Sequence, residues 1–134
     1  MNKSKKPLKK EYKQTLPPMG VFLIRNVLNN KILVAAGVNL EGTINRHKFQ
    51  LARGNHPNTR LQADWDEVGG NNFAFEVVDQ LTPGGDPNAD RSDLESLSNL
   101  WLEKLQPFND KGYNERAMSL AEKLLRISAK RSAE

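Results

Sequence analysis

Two histidines, His47 and His56, are the residues of this chain best suited to acid–base or metal chemistry. They lie nine residues apart in a chain without cysteine, which excludes a structural zinc site, disulfides and thiol nucleophiles. Glycine-rich phosphate loops, the strained serine turn of hydrolases and zinc-protease signatures are also absent from the sequence. The common short motifs therefore predict no enzymatic activity.

Positive charge is concentrated at the two ends of the chain. Residues 1–16 carry six lysines and one glutamate, a net +5, and residues 115–134 carry a net +2. Residues 17–114 carry nine basic and twelve acidic side chains, which is unusual for a dedicated nucleic-acid binder. Four cations of this segment nevertheless lie close together in the sequence, ahead of most of the acidic residues: Arg46, Lys48, Arg53 and Arg60. They either contact phosphates or form a solvated helix face.

The chain shows no sign of a membrane segment or a secretory signal. Its apolar runs are far shorter than the roughly 18 to 20 residues that span a bilayer. The basic N-terminus is not followed by an apolar segment. Together with the lack of cysteine, this leads us to expect a cytoplasmic protein.

Periodicity predicts an α/β (α+β) fold whose elements follow the order β-β-α-α-β-α, with a further C-terminal helix. Residues 20–25 and 31–36 are apolar runs typical of strands, and Asn29 and Asn30 suit a tight hairpin between them. The alternating residues 73–78 predict a third strand.

Each helix has its own boundary signals. Asn39 is suited to cap a first helix that Gly54 ends, and Pro57 suits the first turn of a second. A third helix follows the loop 82–87 and stops at Pro107. We therefore predict a disordered basic arm over 1–18, a domain over 19–114 and an amphipathic helical tail over 115–134, with Met118, Ala121, Leu125 and Ser128 on one face.

The order of these elements and the residues at their joints resemble the GIY-YIG endonuclease family. The resemblance covers about residues 20–114. It rests on Gly20-Val21-Phe22, Lys31-Ile32-Leu33-Val34-Ala35, Asn45-Arg46-His47-Lys48, Gly54-Asn55-His56, Leu100-Trp101-Leu102 and Gly112-Tyr113-Asn114. It implies a small three-stranded antiparallel sheet flanked by helices. It also implies DNA hydrolysis, with a third-helix carboxylate holding one Mg²⁺ or Mn²⁺, a tyrosine or histidine near the sheet helping to activate water, and a first-helix arginine steadying the phosphate.

Several positions that the resemblance assigns to catalysis carry the wrong residue for it. The two motif tyrosines correspond to Phe22 and Leu33, the arginine to Thr43, and the metal-binding glutamate to Ser98. A site without that carboxylate and arginine cannot neutralise the charge of an attacked phosphate. We therefore interpret the chain as a catalytically incomplete relative, although His47, His56 and Asn114 still match the family.

Other residues keep two interpretations at this stage. Glu95, one helical turn before Ser98, could form a displaced metal site with His47, or could be a solvated helix residue. His47 is either a core histidine or a remnant of the site, and His56 either a DNA contact or a helix cap. Trp65 and Trp101 suit the core better than base stacking.

Three functions remain open on the sequence. The first is a DNA-binding module without catalysis or cofactor, which contacts phosphates through Arg46, Lys48, Arg53, Arg60 and His56, helped by the lysine-rich arm. The second is a protein-interaction or homodimerisation domain that uses residues 115–134, unless this tail packs on its own domain. The third is a residual nuclease that uses Glu95 and His47 with Mg²⁺ or Mn²⁺. We expect no membrane partner.

Overall fold

Three strands and four α-helices make up the part of the chain that the structure describes. The computed structural model describes residues 16–116 and 120–132. The elements are β1 (Met19–Asn26), β2 (Ile32–Gly37), α1 (Leu40–Arg53), α2 (Thr59–Val68), β3 (Phe73–Leu81), α3 (Pro87–Leu105) and α4 (Leu120–Ser132), with short 3₁₀ turns at Gly70–Asn72 and Asn109–Lys111. The predicted order and the α+β class are therefore confirmed. The predicted arm lies almost wholly outside the described residues.

The sheet is antiparallel throughout, with strand order β2-β1-β3. β1 is the central strand, which fits its continuous apolar sequence and its buried side chains. The turn between β1 and β2 covers residues 27–31, longer than the predicted two-residue hairpin, because Asn26 N–H bonds to Lys31 O and Asn30 N–H to Asn26 O. Asn30 has a φ of 63°, a conformation that asparagine tolerates better than most residues.

The predicted helix boundaries are mostly confirmed. The Asn39 side chain accepts a hydrogen bond from Gly42 N–H at the start of α1, and Gly54 ends that helix at a φ of 77°. The predicted start of α2 at Pro57 is wrong by two residues. The side chain of Asn58 caps this helix by accepting from Leu61 N–H, and Pro57 lies just outside it. The proposed capping role of His56 is therefore also wrong.

The sheet separates two apolar clusters. On one face, Phe22, Ile24 and Leu33 pack with residues of α1 and α2. On the other face, Val21, Leu23, Ile32 and Val34 pack with Leu97, Trp101, Leu102 and Leu105 of α3. Because neighbouring strand residues point to opposite faces, α1 and α3 lie on opposite sides of the sheet.

The outer edge of β2 is covered by the segment Gly112-Tyr113-Asn114. Tyr113 N–H donates to Ile32 O, and the Asn114 side chain bonds to both the N–H and the carbonyl of Val34 at 2.8 and 2.9 Å. A Cβ on Gly112 would collide with Ile32 O, so glycine permits this close approach. The segment closes a strand edge that would otherwise be free to pair.

Helix α4 is exposed along residues 120–131. Its exposed apolar side chains are Leu120, Leu124, Leu125 and Ile127. The predicted face included Met118, which lies outside the described residues, and α4 does not bury its apolar side chains against its own domain. None of the helices described, including α4, is long and apolar enough to cross a membrane.

Candidate functional site

His47 and His56 contact each other directly. His47 lies on α1 and His56 on the loop that leads to α2, and His47 Nδ1 is 2.8 Å from His56 Nε2. The ring of Phe22 packs edge-on against His47 with the centroids 5.4 Å apart. Burial lowers the pKa of His47 to about 4, helped by the nearby His56 and Arg46, and burial also lowers the pKa of His56. Both rings are therefore neutral near pH 7.

The loop that carries His56 is held by hydrogen bonds to α1 and α2. Gln62 accepts from His56 N–H and donates to Leu51 O. Asn58 N–H donates to His56 Nδ1, and the Asn58 side chain donates to Tyr113 O. These bonds fix the position of the His56 ring against His47.

Tyr113 is the centre of a second buried polar group. It is 1% exposed, its hydroxyl donates to Asp64 at 2.7 Å, and it accepts from Asn26 Nδ2 at 3.2 Å. Burial and the bond to Asp64 raise the Tyr113 pKa to about 12. The hydroxyl is thus protonated and fully engaged, which makes it a poor general base near neutral pH.

Three of the positions that the resemblance assigns to catalytic polar groups are buried. Phe22 is 0% exposed, Leu33 7% and Thr43 8%. Thr43 also packs so closely over Gly37 that a Cβ there would collide with its Oγ1. Ser98 is half-buried on α3. These side chains form part of the packed domain rather than a polar floor.

The comparisons with known proteins agree with this architecture. The chain is 30% identical over 97 residues to the intron-associated endonuclease 1 of Enterobacteria phage T4. The match covers 71% of this chain and 36% of that protein, so the chain spans about a third of the relative's length. No protein-family model matches the chain.

Two solved structures share the fold. The catalytic domain of the homing endonuclease I-TevI matches with a TM-score of 0.61 and 25% identity over 74% of this chain and 99% of that one. A mutant of that domain with alanine in place of a glutamate matches with a TM-score of 0.62 and 24% identity. That match covers 76% of this chain and 97% of the mutant domain. The chain is a relative of the GIY-YIG nucleases.

The candidate DNA-binding cations of this GIY-YIG domain do not form one cluster. Arg46 and Arg53 are seven residues apart on α1 and share a side of the helix, whereas Lys48 points about 200° away and lies over Phe75. Arg60 donates to Asn109 O and lies over the Tyr113 ring. All four cations are exposed. Within residues 16–116 and 120–132 the ion pair formed is Arg25–Glu76, so none of the four has an ion-pair partner there.

The structure does not bring Glu95 and His47 together. Glu95 is exposed on α3, which packs on the face of the sheet opposite to α1. The described residues contain no group of three or more histidine, aspartate or glutamate side chains that could hold a metal ion. The polar side chain that bonds to His47 is His56, and the displaced metal site predicted from Glu95 and His47 is therefore wrong.

Both tryptophans belong to the core. Trp65 packs on Phe73 with the centroids 5.1 Å apart, and Trp101 joins the α3 cluster and donates to Asp79 at 3.0 Å.

Sequence reasoning missed Asn26, Asn58, Gln62 and Asp64 as parts of the hydrogen-bonded site. The one signal in the sequence is the polar side chains His56, Asn58 and Gln62 around the start of the second helix.

Proposed function

We propose that this GIY-YIG domain binds DNA through phosphate contacts and does not cleave it. The observation that carries the proposal is the packing of Phe22, Leu33 and Thr43 where the family places catalytic polar groups. Cleavage needs charge stabilisation at the phosphate and an activated water, and these side chains supply neither. The relatives named above are endonucleases, which supports DNA as the ligand.

The exposed cations of α1 and α2 support binding. Arg46 and Arg53 lie two helical turns apart, about 10 Å along α1, and carry no ion-pair partner within the described ranges. Unpaired cations are available to replace the counterions of a phosphate backbone. The lysine-rich arm would add to this effect, although residues 1–15 lie outside the described part.

A salt titration of DNA binding tests the proposal. Fluorescence anisotropy with a labelled duplex should show a slope of log affinity against log salt that becomes shallower by about 0.9 for each phosphate contact removed. Arg46→Gln and Arg53→Gln should each produce that change. Arg91→Gln, an exposed cation of α3 on the other side of the sheet, is the matched control and should leave the slope unchanged.

Replacement of Lys3, Lys5, Lys6, Lys9 and Lys10 should also weaken binding and reduce the slope. Absence of any binding by the parent chain at low salt would refute the proposal.

A second candidate function is association through α4. Leu120, Leu124 and Ile127 recur at helical spacing along one side of α4 and are 73%, 56% and 45% exposed. If α4 mediates self-association, the parent chain should sediment as a dimer and Leu124→Glu should sediment as a monomer, whereas Leu100→Glu, an exposed leucine of α3, should stay dimeric. A monomeric parent chain at high concentration would exclude homodimerisation.

A further inference from the structure

The hydrogen bonds around the histidine pair determine where each imidazole carries its hydrogen. Asn58 N–H points at His56 Nδ1, 3.0 Å away, so that nitrogen is an acceptor without a hydrogen. A neutral imidazole has a single N–H, so the hydrogen of His56 lies on Nε2. This N–H is 2.8 Å from His47 Nδ1 and donates to it.

The same rule then fixes the second ring. Because His47 Nδ1 accepts a hydrogen bond, neutral His47 carries its hydrogen on Nε2. No described residue bonds to this nitrogen, and no buried side-chain nitrogen or oxygen of the described residues lacks a partner. His47 Nε2–H therefore reaches solvent.

We propose that this relay, from Asn58 through His56 to His47, presents His47 Nε2–H as a fixed neutral donor to a phosphodiester oxygen of bound DNA. The proposal rests on the DNA-binding function and names a contact within it. Arg46 precedes His47 on α1 and its charge is felt at the ring, so the donor lies beside a cation that also attracts phosphate.

The same arrangement opposes a role for His47 as a base. A base at Nε2 would need its hydrogen on Nδ1, and the His56 hydrogen would then have to move to His56 Nδ1. That nitrogen already faces Asn58 N–H, so two hydrogens would meet. The relay thus favours donation and opposes proton abstraction by the same ring.

Substitutions at His47 test whether the ring binds DNA as a neutral hydrogen-bond donor, because a charged donor would also change the salt dependence of binding. His47→Leu removes the donor, and we expect about tenfold weaker DNA binding, since hydrogen bonds to charged groups are among the stronger ones. The salt slope should stay unchanged because a neutral donor displaces no counterion. His47→Gln, whose amide can replace the Nε2 donor, should bind within about threefold of the parent chain.

Nitrogen NMR of the imidazole rings provides a measurement that does not depend on DNA. In the parent chain at pH 7 both histidines should carry hydrogen on Nε2. A His47 ring with hydrogen on Nδ1 would overturn the inference, as would an affinity of His47→Leu within twofold of the parent. The parent chain could also bind no DNA while both rings carry hydrogen on Nε2. That result would refute both the proposed DNA binding and the His47 contact, and would leave only the hydrogen-bond chain from Asn58 through His56 to His47.

Discussion

The two faces of the sheet are built from different interactions. The α3 face is held mainly by apolar side chains, with side-chain hydrogen bonds from Trp101 to Asp79 and from Arg25 to Glu76. The α1/α2 face combines an apolar cluster with polar side chains that bond in pairs, namely His47 with His56, Tyr113 with Asp64 and Gln62 with Asp66. The polar groups of the α1/α2 face thus have hydrogen-bond partners inside the domain.

This difference teaches that buried polar groups persist in a packed domain only where they have partners. Burial of an unpaired polar group costs about 1–3 kcal/mol, so His56 and Tyr113 remain only because each has partners. Phe22 and Leu33 need no partner and fill the space by packing. The buried polar groups therefore position one another through hydrogen bonds.

The largest expected effect is the loss of the Phe22 ring. Phe22→Ala should lower the free energy of unfolding by about 3–5 kcal/mol, because it leaves a cavity beside His47. Leu97→Ala, at a half-buried position on the α3 face, should cost about 1–2 kcal/mol. Urea unfolding measures both, and an equal or larger cost at Leu97 would contradict the difference in burial between the two side chains.

Loss of a side-chain hydrogen bond should lower the free energy of unfolding by less, and by different amounts on the two faces. Tyr113→Phe should cost about 1–3 kcal/mol, since Asp64 and Asn26 lose their common partner inside the domain. Trp101→Phe should cost about 1 kcal/mol, because Asp79 can turn to water. Thermal and urea unfolding should give the same order. An unchanged free energy of unfolding in Tyr113→Phe would mean that the bonds of Tyr113 to Asp64 and Asn26 add nothing to stability.

The smallest effect is a dependence of stability on pH. The His47 pKa of about 4 lies below its ordinary value of 6.5, so between these pH values the unfolded chain binds more protons than the folded one. The free energy of unfolding should therefore fall as the pH drops from about 6.5 towards 4. We expect a loss of about 1 kcal/mol, less than the full shift would give, because water screens the half-exposed ring.

His47→Gln is the control for this pH effect. The variant should lose less stability across the same window, with His56 responsible for what remains. An identical pH profile in parent and variant would show that His47 does not titrate with a lowered pKa.

Local signals predicted the elements well and the contacts between them poorly. Asn39 and Gly54 bound α1 through their own backbone preferences, which sequence reveals directly. The contact between His47 and His56 depends on how Gln62 and Asn58 hold the connecting loop, and the Tyr113–Asp64 bond joins residues 49 positions apart. Such contacts arise from tertiary packing, so neither periodicity nor motif spacing could predict them.

The direct test of the central claim is a cleavage assay under conditions where binding is complete. Supercoiled plasmid is incubated with saturating parent chain, as judged by anisotropy, at low salt with Mg²⁺ or Mn²⁺. We predict that the plasmid is bound and stays supercoiled. Nicked or linear product that depends on the parent chain and on Mg²⁺ or Mn²⁺ would contradict the account, and its loss in Glu95→Ala but not in the α3 control Arg91→Gln would point to Glu95.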